Sequence, residues 1–161
     1  MKIRMQSRHL FTVTAVSGVL LLSLGVGLGQ QSKKASEAQR QPHLFHIFTD
    51  AQGQSHIQEI KLVSNRRAEI PGAKMVFNGL PAPPQAVEWH HTPARQFAIT
   101  VVGSLNVEAG DGTKAHLETG DMAFLEDLAG KGHRTFEEGA SSVFIRVPDG
   151  FDVKAWAAGT K

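Results

Sequence analysis

Histidines stand at both ends of one stretch of this sequence: His90 and His91 open it, His133 closes it, and Arg95, Gln96, Glu126 and Asp127 lie between. Imidazole is the side chain whose unperturbed proton exchanges near neutral pH, so any chemistry belongs where these two ends meet. His90 and His91 are neighbours, and neighbours on an extended strand face opposite sides. One of the two therefore enters a pocket and the other leaves it. Arg95 has the planar fork that clamps a carboxylate bidentately, with a solvated surface arginine as the plain alternative. Gln96 is a hydrogen-bonder, and Trp89 is a packing ring or a platform for a ligand. Glu126, or its neighbour Asp127, would move protons if a pocket raises its pKa.

The elements that must position these residues are short strands with tight turns. Residues 96–102 alternate as a strand, Gly103 breaks it, and Leu105, Val107 and Ala109 alternate again before the permissive Gly110-Asp111-Gly112 turn. Residues 114–118 and 122–126 form the next pair around Thr119-Gly120-Asp121, and the Gly130-Lys131-Gly132 loop delivers His133. Upstream, 43–49 and 55–63 read as a hairpin around Asp50-Ala51-Gln52-Gly53, and 74–78 as a further strand. The proline-rich segment 80–84 is a crossing loop at a sheet edge, because proline cannot donate to a ladder. It leads into Val87-Glu88-Trp89. Residues 142–147 are the last strand, and 152–158 a terminal helical turn in which Trp156 packs on the sheet. That makes about ten strands at spacings of about 8–12 residues, the pattern of an all-β sandwich or barrel, best fitted by a jelly roll of antiparallel strands.

Residues 1–29 stand apart. Lys2, Arg4 and Arg8 precede an uncharged run containing Val19-Leu20-Leu21-Leu22, the layout of a secretory signal, so the expected location is periplasmic or secreted. No Ala-x-Ala cleavage site occurs, which keeps an uncleaved anchor as the alternative and as the chain's one link to a membrane. Residues 30–42 are a polar linker with almost nothing to bury. The folded domain is 43–161. Its eleven Lys and Arg face fourteen Asp and Glu, so the basic balance of the whole chain (net charge +2) comes from the leader and linker, and bulk charge gives no case for nucleic acid as a partner. The absence of cysteine excludes disulfides and thiolate metal ligands.

Taken together, these residues resemble the cupin superfamily. Its first motif has two His in a His-x-His arrangement, then a Glu, then a Gly, and here Trp89, His90 and His91 lie over His-x-His, Gln96 over the Glu and Gly103 over the Gly. Gly120-Asp121 and His133 resemble the second motif, with a connection about two residues longer. More narrowly, Trp89-His90, Pro93, Arg95-Gln96, Asp111-Gly112, Glu126-Asp127 and Gly130-Lys131-Gly132-His133 look like a group of small single-domain cupins of largely unassigned activity. The resemblance implies a jelly-roll β-barrel in which His90 or His91, with His133 and Gln96, holds a divalent ion: iron, manganese, nickel or zinc. Cupin spacing favours His91 and the Trp-His pair favours His90. Glu126 would be the catalytic acid or base, and Arg95 and Trp89 would bind the ligand. The implied partner is a small polar organic molecule, with a homodimer through an edge strand as a further expectation. Two departures qualify the inference. Trp89 stands where the first ligand would be, and Gln96 replaces a carboxylate, so the rival reading is a non-catalytic binding or structural cupin that has lost its metal.

Overall fold

The computed structural model describes residues 40–63, 69–77, 81 and 83–160. The expected leader, residues 30–39 of the linker and residues 64–68 lie outside the described residues.

Alternating sequences pair as strands wherever one face can be buried, and here nearly all of them join one sheet. The strands are β1 (Leu44–Thr49), β2 (Ser55–Ile60), β3 (Lys74–Phe77), β4 (Gln85–His90), β5 (Gln96–Ala109), β6 (Lys114–Glu118), β7 (Met122–Glu126) and β8 (His133–Arg146). Their order is β2-β1-β7-β5-β8-β3, with β4 also on β8 and β6 also on β5. The sheet is strongly curled into a half-barrel, an all-β architecture compatible with a jelly roll. It is mixed rather than purely antiparallel, because β1 and β7 run parallel, Leu44 beside Met122 and Phe48 beside Glu126.

Two expectations about the strands are corrected. Gly103 does not break its strand. β5 runs through it for 14 residues, and its partner β8 is equally long instead of being confined to 142–147. Both bend where glycines oppose each other: Gly103 has φ 70 and Gly139 φ 66, and the β5–β8 register shifts on either side of Val102. A bend of this kind lets a strand turn a barrel corner without leaving the ladder. The approach also excludes any side chain, since a Cβ on Gly103 would sit 2.6 Å from the Gly139 carbonyl carbon.

Period-two alternation divides the core into two layers. Ile47, Leu105, Val107, Leu117, Ala123 and Leu125 pack on the concave side. Leu44, Phe97, Phe124 and Val147 face the other way, under helix α1 (Val153–Ala158). That helix starts on Asp152, whose side chain accepts from Ala155 N at 2.9 Å, and ends on Gly159 in the left-handed region. Trp156 lies 5.0 Å from Phe97 between ring centres, and Phe97 lies 4.9 Å from Phe124. Full burial of a Phe ring contributes about 1.5–3 kcal/mol, and the half-buried Trp156 adds part of such a contribution in fastening so short a helix to the sheet.

At one end of the half-barrel, His56 bridges two turns. Its Nε2 meets Asp50 Oδ2 at 2.9 Å and its Nδ1 meets Asp111 Oδ2 at 2.7 Å. Hydrogen bonds first to Asp50 and then to Asp111 raise its pKa above 6.5. Its hydrogen bond lowers that of Asp50; at Asp111, burial opposes the shift but bonds from Thr113 and His56 outweigh it. A raised imidazole stabilises fully below its unfolded value of 6.5 and loses that contribution as pH rises through the folded value. Depressed carboxylates stabilise above 3.8 and lose it as pH falls through their folded values. The bridge therefore works best between these limits. The urea midpoint of His56→Gln should fall further below wild type at pH 5.5 than at pH 9, and an equal gap at both would refute the assignment.

Candidate functional site

The concave face encloses a cavity of about 550 Å³, floored by apolar side chains such as Leu105, Val107, Leu117 and Leu125. Polar groups collect on its wall, among them His90, Thr92, Gln96 and His133.

A bulge on β4 selects which side chain of Trp89, His90 and His91 enters. Val87 pairs with Thr135 and His90 with His133, so three steps on β4 match two on β8. Without the extra residue, Trp89 would share the inner face with Val87. With it, His90 does. The two imidazoles become cross-strand neighbours whose ring centres are 4.4 Å apart. His91 does not line the cavity. Its Nε2 bonds the Gly130 carbonyl and so ties down the loop before His133. Gly132, buried and at φ 73, is what lets that loop come so close: a Cβ there would lie 2.6 Å from the His90 carbonyl carbon and nearer still to its oxygen.

His90, His133, Gln96 and Thr92 on this wall are each already hydrogen-bonded. His133 is 4% exposed, and its Nδ1 meets Asp127 Oδ2 at 2.6 Å. His90 Nδ1 meets the Glu88 carbonyl at 2.8 Å. A carbonyl oxygen only accepts, so Nδ1 of His90 carries the proton. The carboxylate places the proton of neutral His133 on Nδ1 as well. Gln96 donates from Nε2 to Thr92 Oγ1 at 3.2 Å, and Thr92 passes its own proton to the Ala94 carbonyl at 3.1 Å. Beside the second N–H of Gln96, these groups leave a set of acceptors: the two Nε2 lone pairs and Gln96 Oε1. Two acceptors cannot bond each other, so the set is complementary to an electron-pair acceptor or a proton donor.

The remaining expected site residues lie elsewhere. Glu126 does not line the cavity, because Ala123 and Leu125 take the inner positions of β7 and period two turns Glu126 outward. There it accepts from Arg95 Nε at 2.7 Å and meets His46 Nε2 at 2.9 Å. That hydrogen bond raises the pKa of Arg95, and burial lowers that of His46. Arg95 also reaches Asp149 at 3.5 Å, so its fork is engaged outside the cavity. Trp89 is outside it too, with Lys131 Nζ 3.8 Å and Arg134 Cζ 5.1 Å from its ring centre. Asp127 stands behind the wall, fully buried, with Oδ2 on His133 and Oδ1 lacking a hydrogen-bond partner among the described residues. Arg146, which lines the cavity, escaped notice at the end of the Ser142–Phe144 alternation.

Among the described residues, no group of three or more His, Cys, Asp or Glu is arranged to hold a metal ion. No protein-family model matches the chain, and no curated protein matches it.

Proposed function

We propose that this chain is an exported single-domain cupin, periplasmic or secreted, whose cavity holds a divalent metal and binds or transforms a small polar organic molecule. The observation that carries the reading is the proton arrangement at His90 and His133. Both imidazoles have Nδ1 committed to an oxygen and Nε2 left as a lone pair, which is how ligating histidines are oriented by their outer partners. The donor set fits an ion held by two nitrogens and one amide oxygen, His90, His133 and Gln96, with further positions left for a ligand. Having no carboxylate, it binds less tightly than a set with an anionic member and suits iron, manganese, nickel or zinc, for which imidazole is a good ligand. A bound ion would supply Lewis acidity toward an oxygen of the substrate. Asp127 holds the His133 tautomer, and the apolar floor excludes water from the bound molecule.

The neutrality of the set supports a second reading, a binding cupin without metal, in which the same three acceptors take protons from a ligand's hydroxyl or amino groups. Cobalt titration of untagged protein separates the two. On the first reading, wild type and His91→Ala take up one equivalent, whereas His90→Ala and His133→Ala do not. No uptake by wild type would leave the binding cupin, and a loss in His91→Ala as large as in His90→Ala would refute the assigned ligands.

A further inference from the structure

We infer that the cavity takes a small organic acid, its carboxylate held by Arg146 and its hydrocarbon part against the Leu105, Val107 and Leu117 floor. The inference deepens the proposed function and rests on its reading of the cavity as a ligand site. Arg146 lines the cavity and, unlike those of Arg95 and Arg134, its guanidinium has no hydrogen bond or ion pair among the described residues. A planar guanidinium with its donors uncommitted is complementary to a carboxylate. Its place in the register is as telling. Arg146 is the direct cross-strand partner of Gln96 on β5. From Gln96 a chain of short contacts leads through Thr92, whose N–H donates to the Asp127 carbonyl at 3.3 Å, to Asp127 and His133. The curl of the sheet thus brings the cation at the end of β8 to the same wall as the imidazole at its start.

Among the described residues on the lining the one acid, Glu137, does not cancel this charge. It lies on the other side of the Gly139 bend and accepts from Gln85 Nε2 at 2.9 Å. The Gln96 side of the cavity is left with an unopposed positive charge above an apolar floor. A volume of about 550 Å³ is in the range of small-molecule sites.

The probes are hexanoate and benzoate, with hexanamide and benzamide as neutral isosteres, titrated calorimetrically into the full chain. The acids should bind about tenfold or more tightly than the amides, as a charge-assisted pair requires. Arg146→Gln should lose that preference, and Arg146→Lys should keep part of it. Equal binding of acids and amides, no binding of the acids, or an Arg146→Gln variant that still prefers acids would overturn the inference. If circular dichroism shows Arg146→Gln unfolded, the wild-type preference and Arg146→Lys decide. Cobalt uptake is measured on the same samples. Uptake without acid preference removes the carboxylate inference and leaves the metal reading standing, whereas acid preference without uptake does the reverse.

Discussion

Alanine at Gly132 is expected to cost about 3 kcal/mol or more of stability and to abolish ligand uptake in whatever fraction still folds. Two effects add. The residue sits at φ 73, which costs a non-glycine residue about 1–3 kcal/mol. The new methyl would also overlap the backbone carbonyl of His90, which cannot swing aside as a side-chain end can. Gly112→Ala is the control, with φ 88 and open space where its Cβ would lie. It should show the conformational cost alone. Urea denaturation of both variants measures the difference, and a Gly132→Ala variant no less stable than Gly112→Ala would mean that the loop and the His90 strand are not in contact.

Removal of the Asp127 carboxylate is the second large effect. Asp127→Ala strands the Nδ1–H of a buried imidazole, and losing one partner of a buried pair costs about 2–4 kcal/mol. Asp127→Asn is the more informative variant. It keeps the shape and an oxygen for His133 Nδ1 but removes the charge that makes the ring a better electron donor, so cobalt affinity should fall about 10–100-fold with the fold intact. Denaturation together with cobalt titration reads both. Unchanged stability in Asp127→Ala would show that the pair holds nothing in place, and unchanged affinity in Asp127→Asn that it tunes nothing.

The sequence made the strands legible where alternation and turn chemistry agreed, as in 43–49, 114–118 and 122–126, each of which is a strand within a residue or so. It misled where a glycine had two meanings. Gly103 looks like a break in a linear pattern, yet it and Gly139 are bends inside two long paired strands, and only the partner strand shows the difference. The site was legible as a meeting of His133 with the Trp89–Gln96 segment. Which of His90 and His91 turns inward was not, because the choice depends on one extra residue in the ladder, and a bulge has no fixed signature in side-chain pattern. The outward direction of Glu126 was legible in the strand's own parity. Ala123 and Leu125 mark the inner face of β7, and Glu126 falls on the other.

The parallel pairing of β1 with β7 has a consequence for how the molecule comes to be made. Leu44 and Met122 are neighbours in the sheet, yet about two-thirds of the domain separates them along the chain. The β1–β2 hairpin can close early through its own turn, but one side of β1 then has no partner until β7 has emerged. A long loop must be closed before that contact is rewarded, which places this topology among slow folders and leaves a hydrophobic strand edge open while the rest is assembled. Chaperone or translocation machinery that holds the N-terminal hairpin during this interval would be shielding the very edge that the finished sheet conceals.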